Sequence, residues 1–176
     1  MKDKINSSSI DGSSSGFTLI ELLVVIAVAA ILLSIAVPSY SDFVKQQRIG
    51  SAANAFKNAV ALARSEARKR GENVAVRPIG WSSGSSLSLA EGWYVFYKTN
   101  PTTEITLLTH QLDSGNFNVT GSGSGGFYFT KKTGRLGSGP EKKICFSDSN
   151  NSSNVKKHTA TINISGSAVI TVSDSC

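Results

Sequence analysis

Few side chains in this sequence are suited to covalent chemistry. Across 176 residues there are two histidines, His110 and His158, and two cysteines, Cys145 and Cys176. Neither histidine stands in a metal-ligand or triad spacing. Gly121-Ser122-Gly123-Ser124-Gly125 spells Gly-x-Ser-x-Gly, but a nucleophile elbow needs a strand before it and a helix after it. Here the string reads as a glycine-serine loop between strands. The pattern implies no catalytic residue, no metal site and no cofactor. Two cysteines alone make a poor metal site, whereas a pair in an exported chain suggests a disulfide. On the chain-entropy account, closing a loop of about 30 residues stabilises by about 3–4 kcal/mol. A bond at Cys176 would also tie down a tail that otherwise frays.

Glu21 is the side chain that most needs a reason. Phe17 to Val37 reads FTLIELLVVIAVAAILLSIAV, with Thr18, Glu21 and Ser34 its only polar residues. As a helix this run spans about 30 Å, the thickness of a bilayer core. A carboxylate within such a helix costs a few kcal/mol. Either it reaches water at the membrane surface, or it meets a positive partner, and the two readings are compatible. Residues 1–16 are mostly polar, and Lys2 and Lys4 balance Asp3 and Asp11. A secretory signal peptide would have a basic start, a shorter apolar core and a small-residue cleavage site. The run therefore reads as an anchor. The formal net charge of +6 belongs to the residues that follow.

Pro38 ends the apolar run and predicts a helix kink. Beyond it, Ile49, Ala52, Ala53, Phe56, Val60, Ala63 and Ala67 recur at helical spacing as one narrow apolar stripe. Arg64, Arg68, Lys69 and Arg70, near the C-terminal end, suit the helix dipole, and Gly71 suits its C-cap. One helix is expected from about Phe17 to Arg70. From Asn73 the pattern changes to short alternating and aromatic runs: 73–78, 93–97, 105–109, 117–120, 127–130, 144–147, 159–164 and 168–172. Turn-rich stretches at 82–86, 100–101, 121–126, 134–140 and 147–154 separate them. Strands that follow one another without helices imply a largely antiparallel sheet, with one face buried on the helix stripe. The class is α+β. The expected organisation is a leader over 1–16, a membrane or filament-core helix over 17–37, an amphipathic half over 38–71, and a β-rich head over 72–176 that forms one domain with 45–71.

Gly16-Phe17-Thr18-Leu19-Ile20-Glu21-Leu22-Leu23 resembles the class III signal of type IV pilins and type II secretion pseudopilins. That resemblance implies the type IV pilin fold. It implies cleavage between Gly16 and Phe17 by a prepilin peptidase and N-methylation of Phe17. It makes Glu21 the fifth residue of the mature chain, an assembly contact that neutralises a neighbour's terminal amine in a low-dielectric core. The block Ala63-Arg64-Ser65-Glu66-Ala67, and Phe127-Tyr128-Phe129 followed by Gly134, resemble the FimU, FimT and GspH group. The Cys145 and Cys176 pair is most similar to FimU-type minor pilins.

The resemblance implies a minor pilin priming pilus assembly in a tip complex, in support of twitching motility, adhesion and DNA uptake. Its partners would be other minor pilins, the major pilin and the prepilin peptidase. Its place would be the inner membrane with a periplasmic head, then the pilus on the surface of a Gram-negative cell. A GspH-type pseudopilin of type II secretion and a FimT-type DNA-binding minor pilin are the alternatives. Lys131, Lys132, Arg135, Lys142, Lys143, Lys156 and Lys157 make the last third basic, a candidate polyanion contact. The FimT-type Gly-Arg-x-Arg motif aligns with Gly166-Ser167-Ala168-Val169, where both arginines are missing. Replacing Gly16 with a bulky residue is expected to block maturation. Intact-mass measurement on the membrane fraction checks this, and a variant at the mass of the cut form would contradict it.

Overall fold

The computed structural model describes residues 16–80, 86–112, 117–124, 126–137, 139–150 and 153–176. Among the described residues, a single helix, α1 (Leu19–Arg70), is followed by nine strands: β1 (Val74–Pro78), β2 (Ser86–Ser88), β3 (Gly92–Lys98), β4 (Glu104–Gln111), β5 (Phe117–Ser124), β6 (Phe127–Phe129), β7 (Lys142–Asp148), β8 (Lys157–Ile162) and β9 (Ala168–Ser173). The chain divides into two compact units, one ending at Ser39 and the other running from Tyr40 to Cys176.

The end of α1 follows directly from its residues. Gly71 takes φ +69°, which L side chains disfavour, and its N–H donates to the Ala67 carbonyl at 3.2 Å. Arg68, Lys69 and Arg70 occupy the last turn, where backbone carbonyls lack partners. Glu66 accepts from Arg70 one turn on, and this bond raises the Arg70 pKa above its ordinary value.

In the second unit the helix presents the expected stripe. Ile49, Ala52, Ala53, Phe56, Val60, Ala63 and Ala67 are all buried, and Ala59 joins them. Small side chains let strand backbone come close to the helix, so Phe56 stands out as a single large wedge. Its ring meets Trp93 edge-on at 5.2 Å, Phe127 at 6.1 Å and Phe146 at 5.7 Å. Val74, Val76, Val95, Ile144, Ala160 and Ile162 close the core around it.

Every strand pairing is antiparallel, as expected. One sheet was the expectation, and two are present, in the orders β4-β3-β1-β6 and β2-β5-β7-β8-β9. Alternation reports which face of a strand is buried, not which strand lies beside it. The chain leaves the four-stranded sheet after β4, enters the five-stranded one as β5, and returns as β6. Gly126 makes that return, because a Cβ there would lie 2.5 Å from the Val76 carbonyl oxygen. Phe56 touches both sheets at once, through Trp93 and Phe127 on one side and Phe146 on the other.

A second correction concerns the glycine-serine segment. Residues 121–124 are strand rather than loop: β5 continues through them, with Gly121 opposite Ile144 and Ser124 opposite Ser86. Pairing to β7 at Gly121 and to β2 at Ser124 overrides their weak strand preference. The short β2 falls at the edge of a stretch read as turn. Phe56→Ala is expected to lower the stability of the head by about 3–5 kcal/mol, as a large buried aromatic does when truncated. Thermal unfolding followed by near-UV circular dichroism checks this; a melting temperature unchanged within error would contradict it.

Candidate functional site

Gly16 lies just outside α1, and Phe17 follows with its side chain 76% exposed. Thr18 caps the helix: its Oγ1 accepts from the Glu21 N–H at 3.3 Å, and its carbonyl accepts from Leu22. Thr18-x-x-Glu21 is the spacing of a capping box, a local signal that the membrane reading of Glu21 passed over. Glu21 also sits in the first turn, where a carboxylate complements the helix dipole. Its side chain is exposed. The large apolar residues from Leu19 to Ile35 are exposed as well. An apolar surface of that extent demands a cover other than water. The helix is long and apolar enough to cross a membrane.

In the second unit, Cys145 and Cys176 are joined by a disulfide across 31 positions, with Cα atoms 6.0 Å apart. That spacing lies within the range a bridge accepts. Cys145 lies on β7, and β8 and β9 fall inside the closed loop. Beside the bond, a hydroxyl-lined depression of about 440 Å³ covers the outer face of the five-stranded sheet, with Thr120, Ser122, Thr159, Thr161 and Thr171 in its wall.

The two histidines do not form a site. His110 stacks on Trp93 across the β3–β4 pair at 4.5 Å. His158, on β8, faces α1 instead. Gln46 holds it there: the Gln46 Oε1 accepts from the Lys156 N–H at 2.7 Å. That fixes the amide so that Nε2 donates to the His158 Nε2 at 2.9 Å and to the Lys156 carbonyl at 3.4 Å. His158 Nε2 must then accept, which leaves the ring proton on Nδ1. A Cβ added at Gly50 would meet the ring at 3.3 Å, so helix backbone covers it. Burial pushes the His158 pKa below its ordinary value of 6.5. Among the described residues, no group of three or more metal-ligating side chains occurs.

The basic residues of the last third are spread out rather than gathered. Lys143 pairs with Glu141 at 3.3 Å. Lys142 and Lys143 lie opposite Ile162 and Thr161, at the far end of the β7–β8 pair from Lys157, which pairs with Ser173 on β9. Four residues along a strand separate those ends by about 13 Å. Lys131 and Lys132 occupy a turn after β6, with Arg135 just beyond. The seven residues thus lie on several elements: the turn after β6, the start of β7, and the approach to and start of β8. A different cationic cluster, Lys57, Arg64 and Arg68 on α1, lines a recess against the β8–β9 turn. Arg64 belongs to the same Ala-Arg-Ser-Glu-Ala block, whose alanines face the core.

An apolar helix end, continued as an amphipathic helix on antiparallel sheets, defines the type IV pilin fold, an α+β class. The chain matches the family described as Type II transport protein GspH over residues 52–167, and it belongs to that family. The prokaryotic N-terminal methylation motif matches over residues 12–37. The family comprises minor pilins and pseudopilins, which are structural, non-enzymatic subunits of filaments.

Two crystal forms of the type IV minor pilin FimU of Pseudomonas aeruginosa share the fold. One has a TM-score of 0.58 at 15% identity, covering 74% of this chain and 91% of that one. The other has a TM-score of 0.53 at 17% identity, covering 70% and 90%. The minor pseudopilin EpsH from the type 2 secretion system of Vibrio cholerae has a TM-score of 0.52 at 9% identity, covering 71% and 97%. Among curated sequences, the fimbrial protein EcpC of Eikenella corrodens is 51% identical over 39 residues, 22% of this chain and 26% of that protein. A fimbrial protein of Moraxella nonliquefaciens is 37% identical over 59 residues, 32% of this chain and 38% of that protein. The chain thus spans well under half the length of the curated relatives it matches.

His158 makes stability depend on pH in a stated direction. Its folded pKa is depressed, so its contribution is present above the unfolded value, near 6.5, and is lost as pH falls through the folded value. Protonation would also set two donors, Gln46 Nε2 and His158 Nε2, against each other. The melting temperature is expected to fall as pH drops below about 6.5, and His158→Gln is expected to flatten that part of the profile. Identical profiles for both proteins would contradict the assignment.

Proposed function

We propose that this chain is a minor subunit of a type IV pilus. In this reading the chain is cut between Gly16 and Phe17, is methylated at Phe17, and is anchored in the inner membrane by residues 17–37 with a bend at Pro38. The head then lies in the periplasm of a Gram-negative cell until the subunit enters the filament, where it sits in a tip complex and primes assembly with sister minor pilins. Retraction of such a pilus would serve twitching motility, adhesion or DNA uptake.

The observation that carries this reading is the join between two segments. A methylation-type signal with Glu21 in the first turn runs into one helix whose far half is the spine of a GspH-family head. Glu21 is exposed and makes no ion pair among the described residues, and the apolar surface beside it is exposed too. Both needs are met when helices of neighbouring subunits pack together and each Glu21 faces a terminal amine.

A second reading keeps every one of these steps but places the subunit in a type II secretion pseudopilus. It is favoured by the fold shared with EpsH, whereas the relatives named fimbrial proteins favour the pilus.

Glu21→Val removes the carboxylate while retaining the apolar run. The variant is expected to be processed and inserted at normal levels but to fall at least about tenfold in sheared filaments, because the neighbour's amine is left uncompensated. Immunoblots of membrane and sheared fractions check this. Normal incorporation of the variant would overturn the pairing role.

A further inference from the structure

Lys57, Arg64 and Arg68 lie on one face of α1, seven and four residues apart, and line a recess of about 340 Å³. The opposite wall is the β8–β9 turn at Gly166, Ser167 and Ala168. Among the described residues, no carboxylate lines it. Among the described residues, none of these three cationic groups has an ion pair or side-chain hydrogen bond. The Arg64 Nε is buried and without a hydrogen-bond partner. The nearby acid on the helix, Glu66, is already engaged by Arg70 and Lys69.

The recess is built rather than left over. Gly134 (φ +64°) and Gly166 (φ +81°) pass close to each other, and a Cβ on Gly166 would lie 2.3 Å from the Gly134 carbonyl oxygen and 3.3 Å from the Arg64 stem. A Cβ on Gly134 would come within 2.9 Å of Arg68 and 3.0 Å of Arg64. Two glycines without a Cβ thus clear the path of the arginine stems. Cations gathered around one recess with no anion between them repel one another, a cost that an anionic partner removes. A guanidinium fork matches a carboxylate in two parallel bonds.

We propose that this recess seats an acidic segment of a partner protein, with carboxylates taken up by Arg64 and Arg68 and a third anionic contact at Lys57. The recess favours a protein segment over a nucleic acid because its cations converge in a concave pocket beside small apolar walls, Ala61 and Ala168. A duplex backbone would need phosphate contacts laid out along an open strip. Exposed Ile164 and Val169 flank the turn and offer apolar contact to the same segment. That the partner is a sister filament subunit rests on the pilin reading above; the seat itself does not.

The test titrates the full-length protein in detergent with a fluorescein-labelled ten-residue peptide of alternating Glu and Ala, followed by anisotropy at near-physiological salt. Saturable binding is expected, weakened about tenfold or more by Arg68→Gln and by Arg64→Gln, in line with loss of a charge-assisted contact. Arg68 is exposed, so its variant reports on charge without disturbing packing. Lys131→Gln is expected to bind as the parent does. No saturable binding, or binding insensitive to Arg68→Gln, overturns the proposal. So does a labelled DNA duplex of equal charge that binds more tightly with the same variant sensitivity, since it would assign the recess to nucleic acid. The titration needs no filament, so its failure is distinct from failure of the Glu21→Val test.

Discussion

The head hangs on one wedge. Phe56 projects from a helix face otherwise built of alanine, valine and isoleucine, and its ring is shared by two separate sheets. Because the neighbouring positions are small, strand backbone can close down on the helix, and the two sheets are held to a common core by aromatic contact rather than by pairing to each other. Trp93, Phe127 and Phe146 approach it edge-on or tilted, the geometry that the ring quadrupole favours. The same narrow stripe leaves the flanks of the helix free for charged residues, which is how Arg64 and Arg68 come to line a recess one turn from the core.

The helix was legible almost to the residue because its evidence is local. The stripe from Ile49 to Ala67, the basic last turn and Gly71 each report on the next few residues of chain. Strand positions were legible for the same reason: Trp93 to Tyr97 and Ile144 to Ser147 alternate or crowd with apolar side chains. What could not be read was the division into two sheets. It is decided by non-local pairing, namely β1 between β3 and β6, and by a glycine at 126 that fits only against the Val76 carbonyl. The segment at Gly121 misled for a related reason. Composition argued for a loop, but two flanking strands supply hydrogen bonds that composition does not record.

The candidate functional residues divide along the same line. GFTLIELL carries its meaning in eight consecutive positions, so Gly16, Phe17 and Glu21 could be singled out at once. Thr18 passed unnoticed, because a cap is a small signal beside a membrane span. Gln46, His158 and the Lys57–Arg64–Arg68 cluster depend on which strand lies under which helix turn. The basic residues of the last third lie partly in the turn after β6 and partly at opposite ends of the β7–β8 pair, a distribution that a charge count over sequence does not record.

The Cys145–Cys176 bond bears on how the head would carry a mechanical load. A filament under tension pulls on its subunits through the helix and resists through contacts on the head. The weakest response of an antiparallel sheet to such a pull is to unzip from an outer strand, one hydrogen-bonded pair at a time. β9 is the outer strand of the five-stranded sheet, yet the chain beyond it is bonded back to β7, with β8 enclosed between. Peeling would have to stretch a covalent loop. A pull on the end of β9 would therefore load a covalent bond to β7 as well as the β8–β9 hydrogen bonds.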